Sequence, residues 1–264
     1  MLVDTHTHFY DEWLLPDAEA AIQRALEAGV GKMIQADVDS AERPRMWEIG
    51  LRHPGVLFQM LGLYPGSVTA DNWKEELDAV YRIAAGDSLA SLGMTGIVAI
   101  GEIGLDYHEG KEFAREQKEV LRLQFELAAK LNLPVNIHLR DAWEDFFAVL
   151  EDCRHLHLRG NLHCFSGSFE VYERANRSGD FAVGIGGVLT FKNASLPAVV
   201  ARIPLEHLLL ETDAPYLAPV PYRGKRNESA YLPLIAARLA EVKGLSLNEI
   251  ETITTDNAIR LFNL

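Results

Sequence analysis

A repeated alternation of short apolar segments with longer amphipathic segments constrains the fold of this chain more than any other feature. Eight apolar segments, many of them rich in β-branched residues, end in polar residues or glycine, and helical patterns lie between them. Strands that alternate with helices pair in parallel through right-handed crossovers. A closed (β/α)8 barrel takes about 250 residues, and this chain has 264. The sequence therefore predicts an α/β fold, a TIM barrel that occupies residues 1–264 as a single domain.

The individual elements can be placed from hydrophobic periodicity and turn residues. We expect strands at Leu2–Thr5, Lys32–Ala36, Leu57–Leu61, Ile97–Ile100, Pro134–Ile137, Gly160–Leu162, Phe181–Ile185 and Leu208–Glu211. We expect helices at Asp17–Ala28, Ala41–Arg52, Trp73–Ala85, Glu112–Leu131, Ala142–Asp152, Phe169–Ser178, Leu196–Arg202, Tyr231–Lys243 and Leu247–Leu261. An open doubly wound sheet is disfavoured, because the glycines of residues 101–104 and 184–186 do not form the G-x-G-x-x-G turn of a dinucleotide site.

Composition and charge limit the classes of partner. The chain has no apolar run long enough to span a membrane and no basic segment followed by an apolar one at its N-terminus, so we expect a cytoplasmic protein without a membrane association. Cys153 and Cys164 are too few for a disulfide scaffold. A net charge of −13 argues against nucleic-acid binding through a broad basic surface. It leaves open an enzyme that acts on phosphate esters, with metal ions supplying the positive charge, and no obligate protein partner is evident.

Histidines and carboxylates follow five of the predicted strands. In a (β/α)8 barrel the active site lies at the C-terminal ends of the strands. His6 and His8 are two residues apart and therefore point to one face of the first strand. The other candidates follow strands four, five, six and eight; they are Glu102, His138, His163 and Asp213. We interpret these six side chains as one metal site.

Six ligands exceed the needs of one zinc ion and suit two divalent ions about 3.5–4 Å apart. Glu102 is the expected bridge between the ions. His6, His8 and Asp213 would hold one ion, and His138 and His163 would hold the other. We expect Asp213 and Glu102 to be the catalytic carboxylates, with Asp213 orienting a water or taking its proton. The ligand types accept Mg, Mn or Zn and do not decide among them.

Six motifs in this order resemble the TatD family of metal-dependent hydrolases. They are Val-Asp-Thr-His-Thr-His from residue 3, Gly-Glu-Ile-Gly-Leu-Asp-Tyr from 101, Ile-His-Leu-Arg-Asp-Ala from 137, Leu-His-Cys-Phe-Ser-Gly from 162, Leu-Glu-Thr-Asp-Ala-Pro from 210 and Gly-Lys-Arg-Asn-Glu from 224. The resemblance implies a TIM barrel of the amidohydrolase superfamily, two metal ions and hydrolysis of phosphodiester bonds in DNA, commonly as a 3′–5′ exonuclease on single strands or ends. It also implies the same six metal ligands.

The chain departs from the pattern of that family after the third strand. Tyr64 and Gly66 stand where many members carry histidines, and Ser229 stands where proline often occurs. A phenol can hydrogen-bond to a phosphate oxygen but cannot replace imidazole as a neutral ligand. The resemblance therefore does not imply a third metal or a second phosphate contact at this position.

Side chains at the barrel mouth could bind the substrate. Loops after the seventh and eighth strands of such barrels recurrently bind phosphate, and arginine offers it a bidentate fork. We expect substrate contacts from Tyr64, Tyr107, Arg140, Arg223, Lys225, Arg226 and Asn227.

Three functions remain open from the sequence. The first is a two-metal deoxyribonuclease. The second is a related hydrolase of a small phosphoester, lactone or amide, for which the charge of −13 and Tyr64 leave room. The third is a barrel that binds a metal or a partner without catalysis, which the complete set of six ligands disfavours.

Overall fold

The computed structural model describes residues 1–86 and 96–264 and contains the eight predicted parallel strands. Each strand pairs with the next along the chain, in the order β1 to β8. The strands are β1 Leu2–Thr7, β2 Val30–Gln35, β3 Leu57–Leu61, β4 Ile97–Asp106, β5 Val135–Arg140, β6 Arg159–Leu162, β7 Asp180–Ile185 and β8 Leu208–Leu210. The TIM-barrel prediction is confirmed.

Helices alternate with the strands and surround them. They are α1 Ala18–Glu27, α2 Arg43–Arg52, α3 Trp73–Ala84, α4 Ala114–Leu131, α5 Trp143–Asp152, α6 Phe169–Ala175, α7 Leu196–Val200, α8 Leu232–Lys243 and α9 Leu247–Phe262. Their apolar stripes pack on the outer face of the barrel. A second apolar cluster joins strand residues such as Val3 and Leu209 to Phe262 of α9. No helix in the described part of the chain is long and apolar enough to cross a membrane.

The barrel closes beside the predicted site. The amide of Asp213 donates to the carbonyl of His6 at 2.9 Å, and the amide of His8 donates to the carbonyl of Ala214 at 2.8 Å. These two bonds join the end of β1 to the segment after β8. Closure of the sheet therefore brings His6 and His8 next to Asp213, which is more than 200 residues away in sequence.

The fourth strand is longer than predicted. It continues past Ile100 to Asp106, with a shift in its pairing to β5 between Ile100 and Ile103. Gly104 permits this close pairing, because its φ is +150° and an added Cβ would overlap the carbonyl of His138. The extension places Glu102 within a strand rather than in a loop.

A buried ion pair supports the neighbouring loops. Arg43 donates from Nε to Asp37 Oδ2 at 2.6 Å and from Nη2 to the carbonyl of Gly62 at 3.0 Å. The amide of Gly62 donates to the same carboxylate oxygen at 3.0 Å. Burial raises the pKa of Asp37 to about 6 despite the Arg43 charge. This pair links the loop after β2 to the end of β3, which leads into Tyr64.

Candidate metal centre

Glu102 lies at the centre of the predicted cluster and is almost completely buried. Its Oε2 atom is 3.3 Å from His6 Nε2 and 3.8 Å from His8 Nε2. Its Oε1 atom is 2.9 Å from His138 Nδ1 and 3.4 Å from His163 Nε2. Each carboxylate oxygen therefore faces a different pair of histidines.

Asp213 completes the side of the cluster that contains His6 and His8. Its Oδ1 atom is 3.5 Å from His8 Nε2 and 3.7 Å from His6 Nε2. Its backbone has a φ of +57°, in the left-handed region that non-glycine residues seldom adopt. Two groups of three residues bring their ligand atoms close enough together to hold a metal ion. One group is His6, His8 and Asp213, and the other is His6, Glu102 and His163.

The outer nitrogens of His6 and His8 have fixed partners. His6 Nδ1 is 3.0 Å from Asn136 Oδ1, which can only accept. His8 Nδ1 is 2.9 Å from the hydroxyl of Tyr10, which donates its own proton to the carbonyl of Ala36 at 2.5 Å. Both imidazoles must therefore donate from Nδ1, and each neutral ring keeps a lone pair on Nε2.

These two lone pairs face each other, because the Nε2 atoms of His6 and His8 are 3.1 Å apart. Two unprotonated nitrogens at this distance repel each other unless a cation accepts both lone pairs. Burial, with the nearby charge of His163 adding to it, also lowers the pKa of His6, which disfavours a proton in that position. The donor set therefore fits a divalent metal ion.

The other two histidines are oriented by carboxylates. His138 Nε2 is 2.9 Å from Asp106 Oδ2, and His163 Nδ1 is 3.2 Å from Glu211 Oε1. Carboxylates that hold the outer nitrogen of a metal-binding histidine fix its orientation and raise its basicity. Burial works against the charged form, but Glu211 and Glu102 outweigh it and hold the pKa of His163 well above its usual value. A metal ion at this position would replace that proton.

Glu102 carries the negative charge that a ligand of a metal cation needs. Burial tends to raise its pKa, but the surrounding histidines, His138 and the charged His163 among them, hold the pKa of Glu102 well below its usual value. The pKa of Asp213 is likewise lowered, since burial is outweighed by its contact with His8 and by the charge of His163. Both carboxylates are therefore anionic and available to cations at neutral pH.

Sequence reasoning missed the four residues that orient the histidines: Tyr10, Asp106, Asn136 and Glu211. Three of them lie two residues from a candidate ligand, and Asp106 lies four residues after Glu102. All but Tyr10 hold a histidine from another strand. The alternation of side chains along a strand could have identified such residues as polar and inward-facing. It could not have identified the side chains with which they pair.

Glu211 is fully buried and accepts three hydrogen bonds. Besides His163, its donors are the amide of Cys164 at 2.5 Å and Asn161 Nδ2 at 3.2 Å. Gly184 leaves the space for this carboxylate, because an added Cβ would overlap Glu211 Oε2.

Tyr64 lies beside His138 at the edge of the cluster. The two rings are edge to face with centroids 5.0 Å apart, and the hydroxyl of Tyr64 donates to Asp106 Oδ2 at 3.3 Å. An added Cβ at Gly66 would overlap the Tyr64 ring. The two departures from the family pattern are therefore coupled, because the phenol fits only where residue 66 has no side chain.

The remaining predicted substrate residues divide into two groups. Three have their polar groups engaged by the protein: Tyr107 donates to Asp145 at 2.8 Å, Asn227 donates to the carbonyls of Thr212 and Tyr216 at 2.7 and 2.6 Å, and Arg226 donates to Asp17 at 2.8 Å. Three are exposed: Arg140 at the end of β5, and Arg223 and Lys225 in the loop after β8. Asn227 thus supports the turn that contains Asp213.

Comparisons with known proteins agree with this architecture. The family described as TatD related DNase matches residues 3–263. The uncharacterized metal-dependent hydrolase YabD of Bacillus subtilis is 39% identical, with 100% of both chains covered. The 3′-5′ ssDNA/RNA exonuclease TatD of Erwinia tasmaniensis is 34% identical over 94% of each chain.

A solved structure resembles the fold over its full length. The TatD homologue YJJV of Escherichia coli K12 superimposes with a TM-score of 0.88 at 30% identity, covering 100% of this chain and 98% of that one. The motifs, the barrel and these matches all agree, and the chain belongs to the TatD family of metal-dependent hydrolases.

Proposed function

We propose that this protein is a two-metal phosphodiesterase that digests DNA from an end, with 3′–5′ polarity. The observation that carries the proposal is the division of the Glu102 carboxylate, whose two oxygens face two separate pairs of histidines. His6, His8 and Asp213 would hold one divalent ion, His138 and His163 the other, and Glu102 would contact both. Mg, Mn and Zn are all compatible with this mixed nitrogen and oxygen set.

Divalent ions held here would supply Lewis acidity, lowering the pKa of a water and offsetting the charge of a phosphodiester. The protein supplies position and a proton acceptor. Asp213 is anionic and keeps 14% of its side chain exposed, so it can accept a proton from a water that attacks phosphorus. Asn136, Tyr10, Asp106 and Glu211 hold the four imidazoles in the orientation in which the inner nitrogens are free.

Two further observations support a nucleic-acid substrate. Arg140, Arg223 and Lys225 place exposed positive charge at the catalytic end of the barrel, in a protein whose net charge is −13. The relative in Erwinia tasmaniensis is named for action on single-stranded DNA and RNA. Recognition would thus come from the metal centre and a few local cations rather than from a broad basic surface.

The test is a time course on single-stranded DNA labelled at the 5′ end or at the 3′ end, with added Mg or Mn. We expect metal-dependent shortening that disappears in Glu102→Ala, with a ladder from the 5′-labelled strand and early release of the 3′ label. Leu51→Ala, on the exposed surface of α2, is the matched control and should keep full activity. If Glu102→Ala digests DNA as well as the unmodified protein, the proposed site is wrong. A parallel reaction on RNA establishes the preference between the two.

A hydrolase of small phosphoesters, lactones or amides is the second candidate. Tyr64 favours it, because its ring lies edge to face on His138 and occupies a position where many relatives bear a smaller imidazole. Rapid cleavage of a small ester, with no cleavage of DNA under the same metal conditions, would select this function instead.

A further inference from the structure

Exposed apolar side chains are concentrated at the mouth of the barrel, next to the metal centre. Eight large hydrophobic residues are exposed in the described part of the chain, and four of them lie in the loops after β1 and β8. These four are Trp13, Tyr216, Leu217 and Val220, with Trp13 57% and Tyr216 44% exposed. Exposed apolar patches lower solubility, and on native proteins they often mark a surface that binds a ligand.

Trp13 and Tyr216 contact each other, and we call this pair the rim aromatics. Their ring centroids are 6.0 Å apart, within the usual range of about 4.5–7 Å for contacting rings. Asp11 holds both of them: its Oδ1 accepts from the backbone amide of Trp13 at 2.8 Å, and its Oδ2 accepts from the hydroxyl of Tyr216 at 2.6 Å. Burial, together with this carboxylate, raises the pKa of Tyr216, so the hydroxyl remains a donor.

The rim aromatics are continuous with the metal centre. The ring of Tyr216 is 6.2 Å from the ring of His8, edge to face. The amide of Tyr216 donates to the carbonyl of Asp213 at 2.8 Å. A phosphodiester bound at His8 and Asp213 would therefore have one of its two nucleosides beside the rim aromatics.

Positive charge lies on the same loops. Arg226 donates from Nη1 to the carbonyl of Trp13 at 3.1 Å, which joins the loop after β8 to the loop after β1. Arg223 and Lys225 are exposed in that loop. An anionic chain bearing flat apolar bases complements a surface of this composition, whereas a purely apolar partner would offer no counter-charge to Arg223 and Lys225.

We infer that the rim aromatics, Trp13 and Tyr216, form a stacking surface for the nucleobase nearest the scissile phosphate. The two rings already contact each other, so the base stacks on their outer face rather than between them. This inference rests on the proposed function, since it assumes a nucleotide substrate. Stacking is tolerant of base identity because every base has a π-face.

The experiment compares two oligonucleotides in each variant: an ordinary single strand, and one with tetrahydrofuran abasic residues replacing the two terminal nucleotides at each end. The readout is the ratio of kcat/KM for the two substrates, so that differences in folded fraction or metal content cancel. We expect the unmodified protein to prefer the base-bearing strand by about 5- to 150-fold, the range that loss of one stacked base produces. Trp13→Ala should reduce this ratio at least about fivefold, Trp13→Phe should restore most of it, and Leu51→Ala should leave it unchanged.

Three outcomes separate the possibilities. Loss of the preference in Trp13→Ala with recovery in Trp13→Phe supports the inference. A preference that is equal in the unmodified protein and in Trp13→Ala overturns it while the proposed function stands, because DNA is still cleaved. If the unmodified protein cleaves neither oligonucleotide, the proposed function fails and the stacking surface fails with it.

Discussion

Replacing Glu211 by glutamine tests whether the buried network behind the histidines controls metal binding. The carboxylate accepts from His163, Cys164 and Asn161. A glutamine side chain of the same shape has one accepting oxygen, and its NH2 group would face at least one of these donors. His163 would then have at most a neutral amide oxygen as its partner, in place of the carboxylate that raises the basicity of its ring.

The expected effect has two parts. Loss of a carboxylate that orients a metal-binding histidine typically costs about 10- to 100-fold in metal affinity, which corresponds to about 1.4–2.7 kcal/mol of binding free energy. A buried donor left without an acceptor also costs about 1–3 kcal/mol of folding free energy. For a chain of this size each kcal/mol lowers Tm by about 2–4 °C.

The assay separates the two parts. Metal affinity is measured by competition with a chromophoric chelator at pH 7, and Tm is measured both in chelator and in excess metal. Glu228→Gln is the matched control, because Glu228 is a buried carboxylate that pairs with Arg24 at 2.6 Å and contacts none of the four histidines. We expect Glu228→Gln to lower Tm without changing metal affinity and Glu211→Gln to lower both.

An unchanged metal affinity in Glu211→Gln would refute the reasoning, whatever happens to Tm. It would mean that His163 keeps its orientation without its carboxylate partner, or that His163 does not bind metal. Lowered metal affinity in both variants would instead indicate a general loss of stability.

Three other outcomes are expected. Gly66→Ala should force the Tyr64 ring away from Asp106 and cost about 1–3 kcal/mol of stability, measured by urea denaturation. Gly186→Ala is the comparison, because its φ is −106° and an added Cβ would make only ordinary contacts; an equal effect in both variants would contradict the coupling. Arg43→Met leaves Asp37 as an unpaired buried carboxylate, which should cost about 3–5 kcal/mol of folding free energy. A loss below about 1 kcal/mol would contradict this expectation and show that Asp37 becomes protonated or hydrated instead. Removing metal with a chelator should lower Tm, since an ion at about 100 times its Kd adds about 2.7 kcal/mol to the folded state; identical melting curves would argue against a metal bound in the folded protein.

The alternation of apolar and amphipathic segments was sufficient to predict the barrel, and the bounds of most strands differ from the prediction by only a few residues. The ends of the strands also predicted which six side chains would meet, because the C-terminal ends of parallel strands in a barrel converge on one face. Both are local properties, periodicity within a segment and the identity of the residue that follows it, and a sequence displays them directly.

The tertiary structure alone decided how those side chains are held. The lone pairs of His6 and His8 face each other because Asn136, 130 residues from His6, and Tyr10 occupy their outer nitrogens. Tyr107 and Asn227 were expected at the substrate, but their polar groups are directed to protein partners. Tyr64 and Gly66 form one packing unit rather than two independent changes.

The physical reason is the range of the interactions. Hydrophobic periodicity is a property of neighbouring residues, and it selects a fold without requiring particular partners. The direction of a hydrogen bond or the tautomer of an imidazole depends on an atom from a distant strand placed to within a few tenths of an ångström. Closure of the barrel between His6 and Asp213 sets those positions, so the chemistry of the site is determined only once the fold is complete.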